Sequence, residues 1–314
     1  MRISIFGSGA VGAYFGGRLA EAGHEVAFVA RGEALRALRE RGLRVASPEG
    51  DFTVQPVRAA ESPVQLGPTD AILLAVKAWQ VPDAARAIAP ALGPDTFVVP
   101  LQNGVEAPAQ LAAVLGPERV LGGLCHIIAW VESPGVIRHQ GAQPHIAFGE
   151  LGGGLTPRAG RLEQAFSRCR GLTAEALEDV RAEMWRKLLF ISSVSGIGAV
   201  TRAPIGVLRS RPETRQLLER AMREVLAVAR AHDVSLPDSA VDQTLAFTDS
   251  LPEAGTTSMQ RDIMAGRPSE LEAQSGSVVR LGMEKGVAAP VHDFVYRALR
   301  PLELRARGEL VFAG

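Results

Sequence analysis

The sequence predicts an α/β protein: a parallel sheet flanked by helices in the first half, then an all-α second half. Three observations predict it. Short apolar runs alternate with helical patterns from Arg2 to Pro100, the signature of strand–helix–strand units. The run AILLAV (Ala71–Val76) is apolar throughout, as expected of a strand buried on both faces. Strand signals stop after about Thr173, and only helical patterns separated by Gly, Pro and Ser clusters follow.

Taken in order, RISIF (Arg2–Phe6) predicts a first strand, Ala10–Ala22 a helix and EVAFVA (Glu25–Ala30) a second strand. LRVASPEGDFTVQPV (Leu43–Val57) predicts a hairpin turning at Pro48-Glu49-Gly50. Ala71–Val76 follows as a strand, then a helix after Pro82, the strand TFVVP (Thr96–Pro100) and a helical stretch after Gly104. From Val120 to Gly149 the pattern becomes strand-like, with turn signals at Ser133-Pro134-Gly135 and Gly141, and predicts antiparallel strands completing the sheet. The second half predicts helices at Asp179–Val200, Pro212–His232, Ser239–Ser250, Ser269–Lys285 and Pro290–Arg305. A length of 314 residues fits two domains, here 1–172 and 173–314.

Net charge is zero and no basic stripe is present, so a nucleic-acid partner is not expected. The opening MRISIFGSGAVG lacks a secretory signal pattern, and Leu188–Val200 is too short to span a bilayer. Two isolated cysteines and six histidines without ligand spacing predict no disulfide framework and no metal site, which suits a reducing cytoplasm. Of 34 basic residues only Lys77, Lys187 and Lys285 are lysines. Lysine is the cation able to give up its proton when desolvated.

GSGAVG (Gly7, Ser8, Gly9, Ala10, Val11, Gly12) matches G-x-G-x-x-G between a predicted strand and a predicted helix. Gly7 permits the tight turn, Gly9 the approach of a pyrophosphate, and Gly12 close helix–strand packing. The helix N-terminus offers free N–H groups to phosphate. The sequence therefore predicts an N-terminal Rossmann-type dinucleotide-binding domain with a C-terminal all-α domain. The second strand runs into Arg31, where an NAD-preferring site would carry an acid. An arginine there suits a 2′-phosphate and predicts NADPH.

Lys77 in VKAWQ and Asn103 in LQNGV both follow predicted strand ends, where open parallel sheets take ligands. An exposed loop lysine and an Asn-Gly turn are the ordinary alternatives. In EMWRKLLFISSVSG, Lys187, Ile191 and Ser195 share one helix face. Periodicity leaves Lys187 open between a snorkelling side chain and a proton donor. Glu270 fits a dipole-stabilised surface residue in a first helical turn, and Ser258 lies in a polar stretch before a helical pattern.

Together these motifs, in this order, resemble the ketopantoate reductase family (2-dehydropantoate 2-reductases) over nearly the whole chain. The resemblance implies an NADPH-binding Rossmann-like domain (1–172) and a helical substrate and catalytic domain (173–314). It implies reduction of 2-dehydropantoate to pantoate on the way to coenzyme A. Lys187 is placed on the catalytic lysine, with Lys77 and Glu270 as further catalytic residues. Ser258, Asn103 and Ser195 are placed at the substrate, and Arg31, Lys77, Gln80, Asn103 and Glu270 at the cofactor beside the glycine loop. A keto acid is the implied partner, and a homodimer is implied by the resemblance alone. Where the family commonly shows asparagines, four and eight positions after the lysine, this chain has Ile191 and Ser195. An isoleucine cannot read a substrate hydroxyl, so another branched keto acid is an alternative. A non-catalytic NADPH sensor is the alternative from a different class.

Overall fold

The computed structural model describes residues 1–312. The chain forms two compact units: Met1–Gln102 with Ala107–Val180, and Asn103–Glu106 with the residues from Arg181 onward.

The first unit contains β1 (Arg2–Phe6), α1 (Ala10–Glu21), β2 (Glu25–Val29), α2 (Gly32–Arg41), β3 (Leu43–Ala46), β4 (Phe52–Val54) and β5 (Arg58–Ala60). It continues with β6 (Ala71–Leu74), α3 (Val81–Ile88), β7 (Phe97–Pro100), α4 (Ala107–Leu115), β8 (Leu121–Ser133), β9 (Val136–Glu150), α5 (Pro157–Phe166) and β10 (Thr173–Ala176). A parallel sheet runs in the order β5-β2-β1-β6-β7. Ile72, Leu73 and Leu74 are fully buried, which is why this strand reads as an unbroken apolar run. The strand order reverses between β1 and β6. The crevice beyond their C-terminal ends is therefore the topological switch point, the usual ligand position in such sheets.

The β8–β9 hairpin does not complete that sheet. Its strand β9 pairs in parallel with β3 and β10 and antiparallel with β8, while β3 pairs antiparallel with β4. The result is a second five-stranded sheet. At 15 residues, β9 is long enough to seat β3 near its start and β10 near its end. Helix α1 lies between the two sheets: a Cβ on Gly16 would meet the Ile5 side chain at 2.5 Å, and one on Gly17 would meet Leu43 and Phe52 at 2.9 Å. Arg18 is carried inside with 0% exposure, paired with Glu21 at 3.0 Å and stacked 4.3 Å above Phe52.

The first unit reaches Val180, beyond the expected boundary at 172/173. The cause is β10, whose sequence TAEA has no apolar run and only alternates exposed with half-buried positions.

From Arg181 onward every described element is helical: α6 (Val180–Thr201, continuing from the first unit), α7 (Ile205–Ser210), α8 (Pro212–Ala231), α9 (Ala240–Ser250), α10 (Ser258–Met264), α11 (Ser277–Glu284) and α12 (Pro290–Ala306). Trp185, Leu188, Leu189, Met222, Val225 and Leu299 anchor its core, and Val105 of the short segment Asn103–Glu106 packs on it. The helix expected over Ser269–Lys285 starts later, opening on a π-helical turn at Glu272–Gly276 and becoming α-helical only over Ser277–Glu284; in the turn the Gly276 N–H reaches back to the Leu271 carbonyl. Among the described residues no helix is long and apolar enough to cross a membrane.

Candidate active site

In the first unit the glycine loop sits at the switch point. Gly7 has φ +106, and a Cβ there would lie 2.9 Å from the Ala75 and Val76 backbone, so the turn after β1 needs glycine twice over. A Cβ on Gly12 would lie 2.1 Å from the Gly7 carbonyl oxygen. Gly9 differs. Its φ −70 and ψ −175 suit any residue, and a Cβ there would meet nothing within 4 Å. Gly9 is also the N-cap of α1, with no side-chain cap and no acid in the first turn. The N–H groups around Ser8, Ala10 and Val11 therefore open an uncapped positive helix end, suited to phosphate. Arg31 lies exposed two residues after the end of β2, as the N-cap of α2.

Lys77 and Gln80 follow β6. The Gln80 Oε1 accepts a hydrogen bond from the Lys77 backbone N–H at 3.1 Å, closing a tight turn over Ala78–Gln80. The Lys77 ammonium lies 5.9 Å from the centre of the Trp79 ring. One residue that the sequence reading missed supports this loop. Buried Gln102 donates from Nε2 to the Leu74 and Val76 carbonyls, both at 2.9 Å, tying the end of β7 to the end of β6. Its only visible signal was its place beside Asn103.

In the second unit Asn103 and Glu270 meet. Asn103 Nδ2 donates to Glu270 Oε2 at 2.8 Å, and Glu270 is 7% exposed. Gly104, at φ +102, lets the chain pass the π-turn, since a Cβ there would fall 2.5 Å from the Ala273 carbonyl oxygen. Glu270 is thus a buried acid with a specific partner, not the surface residue that pattern alone favoured. Its neighbour Ser269 is pinned by Glu303, which is 3% exposed and accepts from the Ser269 N–H at 3.0 Å and hydroxyl at 2.6 Å. Glu303, 34 residues away, left no signal in the sequence.

Lys187 stands half-buried on α6, with Phe190 and Ile191 half-buried one turn on. Phe190 packs edge-on against Phe247 of α9, with ring centres 5.1 Å apart. Ser195, two turns on, is 0% exposed and its hydroxyl has no hydrogen-bond partner. Ser258 is the first residue of α10, half-buried behind the Thr257 cap, whose hydroxyl accepts from the Gln260 N–H at 3.3 Å.

The model of "Ketopantoate reductase PanE/ApbA" matches residues 3–153, and that of its C-terminal domain matches residues 179–303. A 2-dehydropantoate 2-reductase of Mesorhizobium japonicum is 33% identical, over 96% of this chain and 98% of its own. The chain belongs to the ketopantoate reductase PanE/ApbA family. The crystal structure of 2-dehydropantoate 2-reductase from Methylococcus capsulatus superposes with a TM-score of 0.89 at 30% identity, covering 98% of each chain. D-mandelate dehydrogenase, solved with NADH and anilino(oxo)acetate, shares the fold at a TM-score of 0.88 and 23% identity, over 98% of this chain and 99% of its own. This chain is accordingly a ketopantoate reductase-family oxidoreductase. Both family models are matched across the two units that hold the residues above.

Proposed function

We propose that this oxidoreductase uses NADPH to reduce the C2 ketone of a branched 2-keto acid, and that 2-dehydropantoate, giving pantoate for coenzyme A synthesis, is its substrate. The observation that carries the reading is Gly9. The fold does not require glycine there: backbone angles and surrounding space would both accept a side chain, and serine or threonine would cap α1 at least as well. A pyrophosphate laid against that backbone does supply a reason. Gly7 to Gly12 would cradle it, and Arg31 would hold the 2′-phosphate.

The reduced nicotinamide, when bound, supplies the hydride. The chain's own residues do the rest. As an ammonium, Lys187 stabilises the negative charge growing on the carbonyl oxygen and gives that oxygen its proton. Asn103, oriented by its hydrogen bond to Glu270, presents its remaining amide atoms to cofactor or substrate. Ser258 takes the substrate carboxylate, and Lys77 adds positive potential. The first unit serves as the cofactor domain and the second as the catalytic domain.

A second reading keeps the reaction and changes the acid. Phe190 and Ile191, one turn from Lys187, are half-buried and apolar, and Phe190 carries Phe247 beside it. These side chains favour a keto acid whose distal group is unhydroxylated. NADPH oxidation by the purified protein against 2-dehydropantoate and branched or aromatic 2-keto acids tests both. The highest kcat/KM on 2-dehydropantoate supports the first reading, and the highest on an unhydroxylated acid supports the second. Tight NADPH binding without turnover of any acid would leave a binding module and refute both.

A further inference from the structure

Each of the four residues of segment Asn103–Glu106 meets the helical part of the second unit. Asn103 bonds Glu270, Gly104 passes close to the Ala273 carbonyl, Val105 packs against the apolar core, and Glu106 is gripped by Arg280. The last contact does more than pair two charges. Arg280 Nη2 donates to Glu106 Oε2 at 2.8 Å and to the Glu272 backbone carbonyl at 2.8 Å, while its Nη1 donates to Glu272 Oε2 at 2.7 Å. One planar guanidinium thus holds the segment that carries Asn103 and the π-turn that follows Glu270. Without it, two carboxylates would face each other across that seam.

Glu272 is itself fixed from the other side. Tyr296 donates its hydroxyl to Glu272 Oε1 at 2.6 Å, and Arg300 binds the same oxygen. Burial alone would raise the Glu272 pKa, but the Tyr296 and Arg280 hydrogen bonds and the nearby arginines outweigh it and hold the carboxyl below its ordinary range. The anchor therefore stays ionised at neutral pH.

We propose that Arg280 is a positioning residue for the reaction: by joining Glu106 to the π-turn it sets Asn103 at its hydrogen-bonding distance from Glu270. This rests on the functional reading above only for its effect on turnover. The Arg280 and Glu106 side chains are 43% and 26% exposed, and partly exposed ion pairs add little to stability. Geometry is what such a fork supplies, since arginine holds its acceptors in one rigid plane whereas lysine is a point charge on a flexible stem.

The test is a double-mutant cycle joined to hydrogen exchange. Arg280→Met should lower kcat/KM about 10- to 100-fold, the scale of a small misplacement at a reacting centre. In an Asn103→Ala background the same change should cost no more than about twofold, because its route is already cut. Arg280→Lys should fall between. Amide exchange in the peptide spanning 103–106 should quicken in Arg280→Met while the melting temperature hardly moves. Equal losses in both backgrounds, or unchanged exchange in that peptide, would overturn the proposal. If the wild-type protein reduces no keto acid, the functional reading falls, and the exchange measurement still decides whether Arg280 holds the segment.

Discussion

The glycine loop and the Asn103–Glu270 corner are built in opposite ways. The loop is six consecutive residues that offer backbone N–H groups and open space above Gly9. The corner draws on residues from 103 to 303, and it is made of side chains that meet only after folding. A site made of local backbone announces itself by residue spacing. A site made of remote side chains announces only some of its members, and none of the residues that aim them.

That difference can be broken within the loop itself. Gly12→Val should have the largest effect. Its Cβ lies 2.1 Å from the Gly7 carbonyl, so the loop must shift. Losing two charge-assisted phosphate bonds would weaken NADPH binding by about 10²- to 10⁴-fold, with a lower melting temperature. Gly9→Ala separates ligand from fold: NADPH affinity should drop by about tenfold or more while the melting temperature falls far less than in Gly12→Val, by no more than a poorer N-cap costs, as calorimetry and titration would show. A melting loss in Gly9→Ala equal to that in Gly12→Val would mean that both glycines serve packing.

Arg31→Ala comes next. Removing one charge-assisted contact to a 2′-phosphate should cut the NADPH-over-NADH ratio of kcat/KM by about tenfold. An unchanged ratio would remove Arg31 from cofactor choice.

The smallest effect lies away from both regions. Glu150 accepts from Arg158 at 2.5 Å and from the Thr156 hydroxyl at 2.6 Å, and the Arg158 hydrogen bond leads the causes that lower its pKa. A depressed carboxylate pKa stabilises the fold above the ordinary carboxylate range, and the gain is lost as pH falls through the folded value. Glu150→Gln should therefore lower the melting temperature by about 2–4 °C at neutral pH. The gap should close in acid.

The same contrast explains what the sequence made legible. Four of the five parallel strands were legible because burial leaves apolar runs such as Ala71–Val76, whereas β5, three residues reading RAA, was not. The second sheet was not, because β3 and β10 meet β9 only in three dimensions and β10 has no apolar pattern. Lys187, Asn103 and Glu270, the residues proposed to act, could be named from motif order. Gln102, Glu303 and Arg280 could not, since a polar residue that acts through hydrogen bonds to distant backbone or carboxylates looks like any surface residue. The π-turn was hidden too, because EAQSG continues a helical pattern while its hydrogen bonds lengthen by one residue.

The central claim is that Lys187 protonates the carbonyl oxygen in an NADPH-dependent reduction. The most direct test is kcat of Lys187→Ala under saturating NADPH, with the keto acid that the wild-type enzyme turns over best. A fall of about 10²- to 10⁴-fold with NADPH affinity intact is expected. A kcat close to that of the wild-type enzyme would contradict it.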